Sequence, residues 1–181
     1  MAERTTYLLV DGENIDATLG NSILGRRPRP DERPRWDRLL EHVERSLDQP
    51  VTGLFFLAVT TELPAPFVQA LLAMGYRPVP LTGSGKVVDI AVQRTLEAIA
   101  DRPADVVLAS HDGDFLPQVQ RLCDGSRQVG IVGFGEFVNA GFRGLPGLRI
   151  LDLELDVGAF NTPLPRVRVI PIDEFDPLDF L

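Results

Sequence analysis

The sequence predicts an α/β fold, a three-layer sandwich built on a mainly parallel sheet. Six short runs are apolar on both faces, as strands covered on both sides must be, and helix-patterned segments separate them. The length of 181 residues suits one domain with a sizeable core.

Residues 5–10, TTYLLV, read as strand one, followed by DGEN, a turn or helix-start sequence. Residues 21–35, rich in Pro, Gly, Asn and Ser, read as a mobile loop. Trp36, Leu39, Leu40, Val43 and Leu47 recur at spacings of three and four, which predicts an amphipathic helix. VTGLFFLAV (51–59) is strand two. Residues 64–74 are helical, with Pro64 and Pro66 confined to the first turn, where a missing N–H costs little. YRPVPL (76–81) is strand three, placed near an edge because its prolines cannot donate to a ladder.

Val88, Ala91, Val92, Thr95, Leu96 and Ile99 describe a helix over about 87–100. DVVLAS is strand four, 114–123 a helix, QVGIVGF strand five, 135–142 a short helix and LRILDLE strand six. The expected strand order is 3-2-1-4-5 with a sixth strand added. The domain is expected over residues 1–153, with a C-terminal extension over 154–181 that ends in an acidic, apolar tail.

A net charge of −8 argues against a generally basic nucleic-acid surface. The charge is uneven, however. Residues 26–38 hold six Arg, whereas the last nine residues hold four acids and no base. Lys86 is the only lysine against seventeen arginines. A lone Cys123 forbids an intrachain disulfide, so a cytoplasmic setting is expected. The apolar runs are strand-sized, which excludes a membrane partner, and the start lacks the pattern of a secretory leader.

The acids sort by topology. In an open parallel sheet, ligands bind beyond the carboxyl ends of the strands, where strand order reverses. Asp11 directly follows strand one, and Asp112 and Asp114 follow strand four. Asp89 opens the helix that leads into strand four. Two carboxylates about 4 Å apart repel by roughly 4 kcal/mol at an effective dielectric near 20. A cluster of them must take up protons or bind cations. Magnesium or manganese suits oxygen ligands, whereas zinc is disfavoured by an isolated cysteine and by His42 and His111 at no ligand-like spacing. Each acid also has a plainer reading: Asp11 as a turn former, Asp112 or Asp114 as a helix cap, Asp89 as a complement to a helix dipole. Asn14 reads equally as a cap. TGSGK (82–86) is not a phosphate loop, because Pro80 and Val87 stand where Gly and Ser or Thr are needed.

YLLVDGENI, GKVVDIAVQRTLEAI and DVVLASHDGDFLPQVQRLCDGSRQVGIVGF together resemble the three motif blocks of NYN domains, the PIN-like ribonuclease fold. RWDRLLEHV is similar to the family's first long helix, and the resemblance covers about residues 5–152. It implies a ribonuclease site dependent on Mg2+ or Mn2+, with acidic ligands at Asp11, Asp89, Asp112 and Asp114 and polar support from Asn14 and Ser110. His111 stands where the family usually has Gly, and Gly113 where it often has Ser. His111 is expected as a partly exposed loop histidine; the alternatives are a catalytic role, a narrowed site or an altered pH response.

The resulting expectation is a metal-dependent endoribonuclease acting on RNA at a four-aspartate site. Lys86 supports it by contacting a phosphate or balancing the acids, and Arg26, Arg27 and Arg29 guide the RNA backbone. The alternative is a non-catalytic RNA-binding or protein-interaction module that keeps the fold. A homodimer and a protein partner held through the tail are the remaining partner expectations.

Overall fold

A computed structural model describes residues 4–181. Its centre is a six-stranded sheet of order β3-β2-β1-β4-β5-β6, parallel throughout. The strands are β1 (Thr5–Asp11), β2 (Val51–Ala58), β3 (Arg77–Leu81), β4 (Ala104–Ala109), β5 (Val129–Gly133) and β6 (Leu148–Asp152). All residues of β4 and β5 are buried, as their unbroken apolar runs require. Proline-bearing β3 lies at an edge, where a missing donor leaves no partner unsatisfied.

Helices cover both faces. They are α1 (Gly12–Thr18), α2 (Trp36–Leu47), α3 (Ala65–Met74), α4 (Val87–Ala100), α5 (Leu116–Leu122) and α6 (Ala140–Arg143). On one face, Leu39 and Val43 of α2 and Ile15 of α1 pack with Leu8, Val10 and Phe55. On the other, Val92, Leu96 and Val119 pack with Leu9, Phe56 and Leu108. Alternate residues of each strand feed alternate cores, the period-two consequence of the pleat. Helix α3 stops at Gly75, whose φ of 100° favours a residue without a Cβ.

Three local readings need correction. Residues 21–35 are built rather than a plain loop: a π-helical turn runs over Leu19–Leu24 and a 3-10 turn over Pro30–Glu32, with Pro28 and Pro34 buried. Glu32 ties this segment together by accepting from Arg26 twice at 2.6 Å and from the Arg29 amide at 2.9 Å. Residues 135–142 are not one helix. A 3-10 turn over Gly135–Phe137 precedes α6, whose first turn is capped by the Asn139 side chain. The segment after β4 likewise opens as a 3-10 turn over Gly113–Phe115 before α5.

The chain beyond β6 enters the core before it leaves the domain. Leu153, Val157 and Ala159 are buried, and Arg38 donates to the carbonyl of Gly158 and to Asn161 Oδ1. Arg166 is the last strong anchor. Its side chain is only 5% exposed, and the guanidinium donates to both oxygens of Asp152 and both of Glu136 and reaches Glu154 at 3.0 Å. It also lies over the Phe134 ring, 5.1 Å from its centroid. Among the described residues, no helix is long and apolar enough to cross a membrane.

Candidate metal centre

Strand order reverses between β1 and β4, whose connections lead to opposite sides, and the crevice at their carboxyl ends is where the acids gather. One carboxylate oxygen each from Asp89, Asp112 and Asp114 lies within 4.8 Å of the others. Asp89 is delivered by the first turn of α4, and Asp112 and Asp114 by the turn after β4. A cavity of about 360 Å³ opens there, lined by Asp11, Glu13, Asn14, Lys86, Asp89 and Asp112 among others.

Asp11 stands in the wall of that cavity but outside the three-oxygen group. It is 3% exposed, and burial pushes its carboxyl up to about 6 against the opposing hydrogen bonds from the Asn14 amide and Ser110. Ser110 links the two strand ends: its hydroxyl donates to Asp11 Oδ2 at 3.1 Å and accepts the Asp112 amide at 3.2 Å. Asn14 is positioned the same way, its Oδ1 accepting the His111 amide at 2.8 Å.

The capping reading of Asp112 coexists with the ligand reading. Its Oδ1 accepts the Asp114 amide at 2.9 Å, and a carboxylate offers more acceptor sites than one such bond uses. Burial and the charge of Asp112 raise the pKa of Asp89, while Lys86 opposes them. Lys86 Nζ stands 3.4 Å from Asp114 Oδ2 and 3.8 Å from Asp89 Oδ2, an exposed ammonium partly balancing the group.

His111 is buried, not a partly exposed loop residue. Its Nε2 accepts the Phe134 amide at 2.7 Å, so the ring is neutral with its proton on Nδ1, which faces Asn14 Oδ1 at 2.9 Å. Burial pulls its pKa down to about 4, and the ring does not line the acidic cavity. Gly113 is equally constrained, because a Cβ there would collide with the Asn139 side chain.

Two residues were not anticipated. Glu13 lines the cavity and accepts the Ala58 amide at 3.2 Å, fastening α1 to the end of β2. Gln93 donates to the Asp114 carbonyl at 3.2 Å and steadies the turn that carries Asp112 and Asp114. Its signal was present: Gln93 follows Asp89 by four residues and shares its helix face. Of the arginines expected to guide RNA, Arg26 and Arg29 pair with Glu32, and Arg29 also with Asp31. Among the described residues, no carboxylate lies within ion-pair distance of Arg27.

The donor set is all oxygen, with His111 turned away and Cys123 on another element. It fits a hard divalent cation such as magnesium or manganese. The family model described as NYN domain matches residues 5–143. No curated protein matches the chain.

Proposed function

The chain belongs to the NYN domain family, and from this premise we propose that it is a metal-dependent endoribonuclease hydrolysing RNA phosphodiester bonds. The observation that carries the proposal is the convergence of Asp89, Asp112 and Asp114 at the β1–β4 switch point. These three would hold Mg2+ or Mn2+, which when bound supplies charge neutralisation and an activated water.

The remaining roles belong to the chain itself. Asp11, held by Ser110 and Asn14, faces the cavity and orients water toward the phosphorus. Lys86 has an exposed ammonium beside the acids and contacts a non-bridging phosphate oxygen of the substrate. Arg27 is the loop arginine left to meet the RNA backbone, while Arg26 and Arg29 act through the loop they brace.

The second reading, a module that binds RNA or protein without cleaving it, draws on the net charge of −8. Cleavage of a labelled single-stranded RNA, with and without Mn2+, separates the two. The proposal expects metal-dependent scission that Asp112→Asn abolishes. Intact RNA under all conditions, with manganese bound, would overturn it in favour of the second reading.

A further inference from the structure

Helix α3 violates a packing rule. An α-helix that is apolar all round belongs in a core. Nine of the ten residues of APFVQALLAM are apolar, Gln69 being the exception, yet only Leu71 is buried. Beside the helix runs a groove of about 840 Å³ whose lining includes Trp36, Phe55 and Phe67. Phe55 is the hub of an aromatic cluster. It meets Trp36, Phe67 and Tyr76 edge-to-face, at centroid distances of 5.3, 5.4 and 5.9 Å. Three of these four rings are buried, and Phe67 is the one that faces solvent, 39% exposed.

The groove and the acidic cavity share a wall. Glu13 lines both, and around the start of α1 the chain alternates between them: Asp11 and Asn14 line the cavity, Gly12 and Asp16 the groove. Only glycine fits this ridge beside Phe55, because a Cβ at Gly12 would stand 2.6 Å from the ring Cζ.

The border of the groove carries both signs of charge. Asp16 accepts from Arg33 Nε at 2.8 Å, and Asp37 lies 3.9 Å from Arg35 Nε, so these four groups balance one another in place. Glu13 and Arg27 remain, one of each sign. A rim that is neutral in sum does not select a run of phosphates or an acidic peptide. It suits a flat, uncharged group with an apolar face and an edge of mixed donors and acceptors. A nucleobase has that chemistry, and an apolar pocket with a few polar groups is the usual form of a site for one.

We infer that the groove takes a nucleobase of the RNA strand, one adjoining the phosphate held at the acids. The inference rests on the reading of the acidic cavity as a phosphodiester site. The base crosses the Gly12–Glu13 ridge and stacks on Phe67, and Arg27 meets a phosphate further along the strand. Unstacked bases of single-stranded RNA dock on aromatic side chains in this way, and every base has a face to offer. Duplex RNA keeps its bases paired and stacked, so the groove favours single strands.

The test is the affinity of the full chain for a fluorescein-labelled single-stranded RNA, read by anisotropy beside an abasic ribose-phosphate oligomer of equal length. Asp112→Asn serves as the background, so that the RNA stays whole. The base-bearing strand should bind about tenfold or more tighter than the abasic one, the scale of one stacked base. Phe67→Leu keeps an apolar side chain but removes the ring. It should weaken the base-bearing strand about tenfold and leave the abasic one unchanged, whereas Phe67→Tyr should bind both as its parent does. Unchanged RNA affinity in Phe67→Leu would overturn the proposal. So would an equal loss on both oligomers, which would make Phe67 a support of the fold rather than a platform for a base. If Phe67→Leu alters the sedimenting mass of the chain and not its RNA affinity, the groove joins copies of this chain and the proposal fails. Cleavage with Asp112 restored separates this inference from the one beneath it. Base-dependent binding through Phe67 without scission in Mn2+ keeps the subsite and removes hydrolysis. Scission at equal kcat/KM in the wild type and in Phe67→Leu keeps hydrolysis and removes the subsite.

Discussion

His111 Nε2 accepts the backbone amide of Phe134 at 2.7 Å, and the two rings lie nearly parallel with centroids 5.7 Å apart. The residue that interrupts the acidic motif is therefore a strut between the β4 and β5 ends. His111→Ala would leave a buried N–H without an acceptor and a void beside Phe134. The expected cost is about 2–4 kcal/mol, read by denaturant unfolding. Mn2+ affinity should be essentially unchanged, because the ring lies outside the acidic cavity. Loss of metal binding at unchanged stability would contradict this placement.

Metal binding should itself stabilise the fold. At 100 times its dissociation constant, a ligand that binds only the folded chain adds about 2.7 kcal/mol. For a chain of this size that corresponds to roughly 5–10 °C in Tm. Melting with excess Mn2+ should show this shift in the wild type and little of it in Asp112→Asn. Equal shifts in both proteins would remove Asp112 from the site.

The sheet was legible because its strands are apolar on both faces, a pattern that survives any detail of packing. Val106, Val107 and Leu108 announce β4 without reference to the rest of the chain. The acids were legible for a related reason: the switch-point rule converts sequence position at a strand end into spatial position. Asp11 shows the limit. Its sequence position matches that of the other acids, but burial and the Ser110 hydroxyl hold it in the wall, apart from the three-oxygen group. The orientation of His111 was hidden because Phe134, its partner, lies twenty-three residues away. Arg26–Glu32 pairing was hidden because the Pro-rich segment carries no helical or strand period, so a separation of six residues fixes no contact.

Lys86 competes with the metal. Its ammonium stands near Asp89 and Asp114, so a cation entering that group must displace it. Lys86→Ala should tighten Mn2+ binding by up to about fivefold in calorimetry, the scale of an exposed ion pair. RNA cleavage should fall, since the phosphate contact is lost. Weaker metal binding in the alanine variant would show that Lys86 supports the site in some other way.

The arginine segment divides into braces and a reader. Arg27→Ser should lower the slope of log affinity against log salt for single-stranded RNA by about 0.7, the value of one phosphate contact. Arg26→Ser should act differently, because Glu32 loses a bidentate partner. Its signature is faster proteolysis within residues 25–35 of the folded protein. A larger change in salt slope for Arg26→Ser than for Arg27→Ser would reverse the assignment.

Arg166 sets the acid limit of the fold. Burial pushes the Asp152 carboxyl up, but hydrogen bonds from Arg166 and from the Gly135 and Leu155 amides, with the Arg166 charge, hold it down at about 2. A carboxyl depressed in the folded state contributes stability that is complete above its unfolded pKa and disappears as pH falls through the folded value. The window here is about pH 4 down to pH 2, and the contribution is roughly 2 kcal/mol. Asp152→Asn should flatten stability against pH within that window. Arg166→Ala is the harsher change, because Asp152, Glu136 and Glu154 lose their shared cation in a largely dry setting. It should cost about 3–5 kcal/mol at neutral pH, read by urea unfolding. The deficit should shrink as acid neutralises Asp152. A deficit that is constant from pH 7 to pH 3 would mean that Arg166 acts by packing on Phe134 rather than by charge.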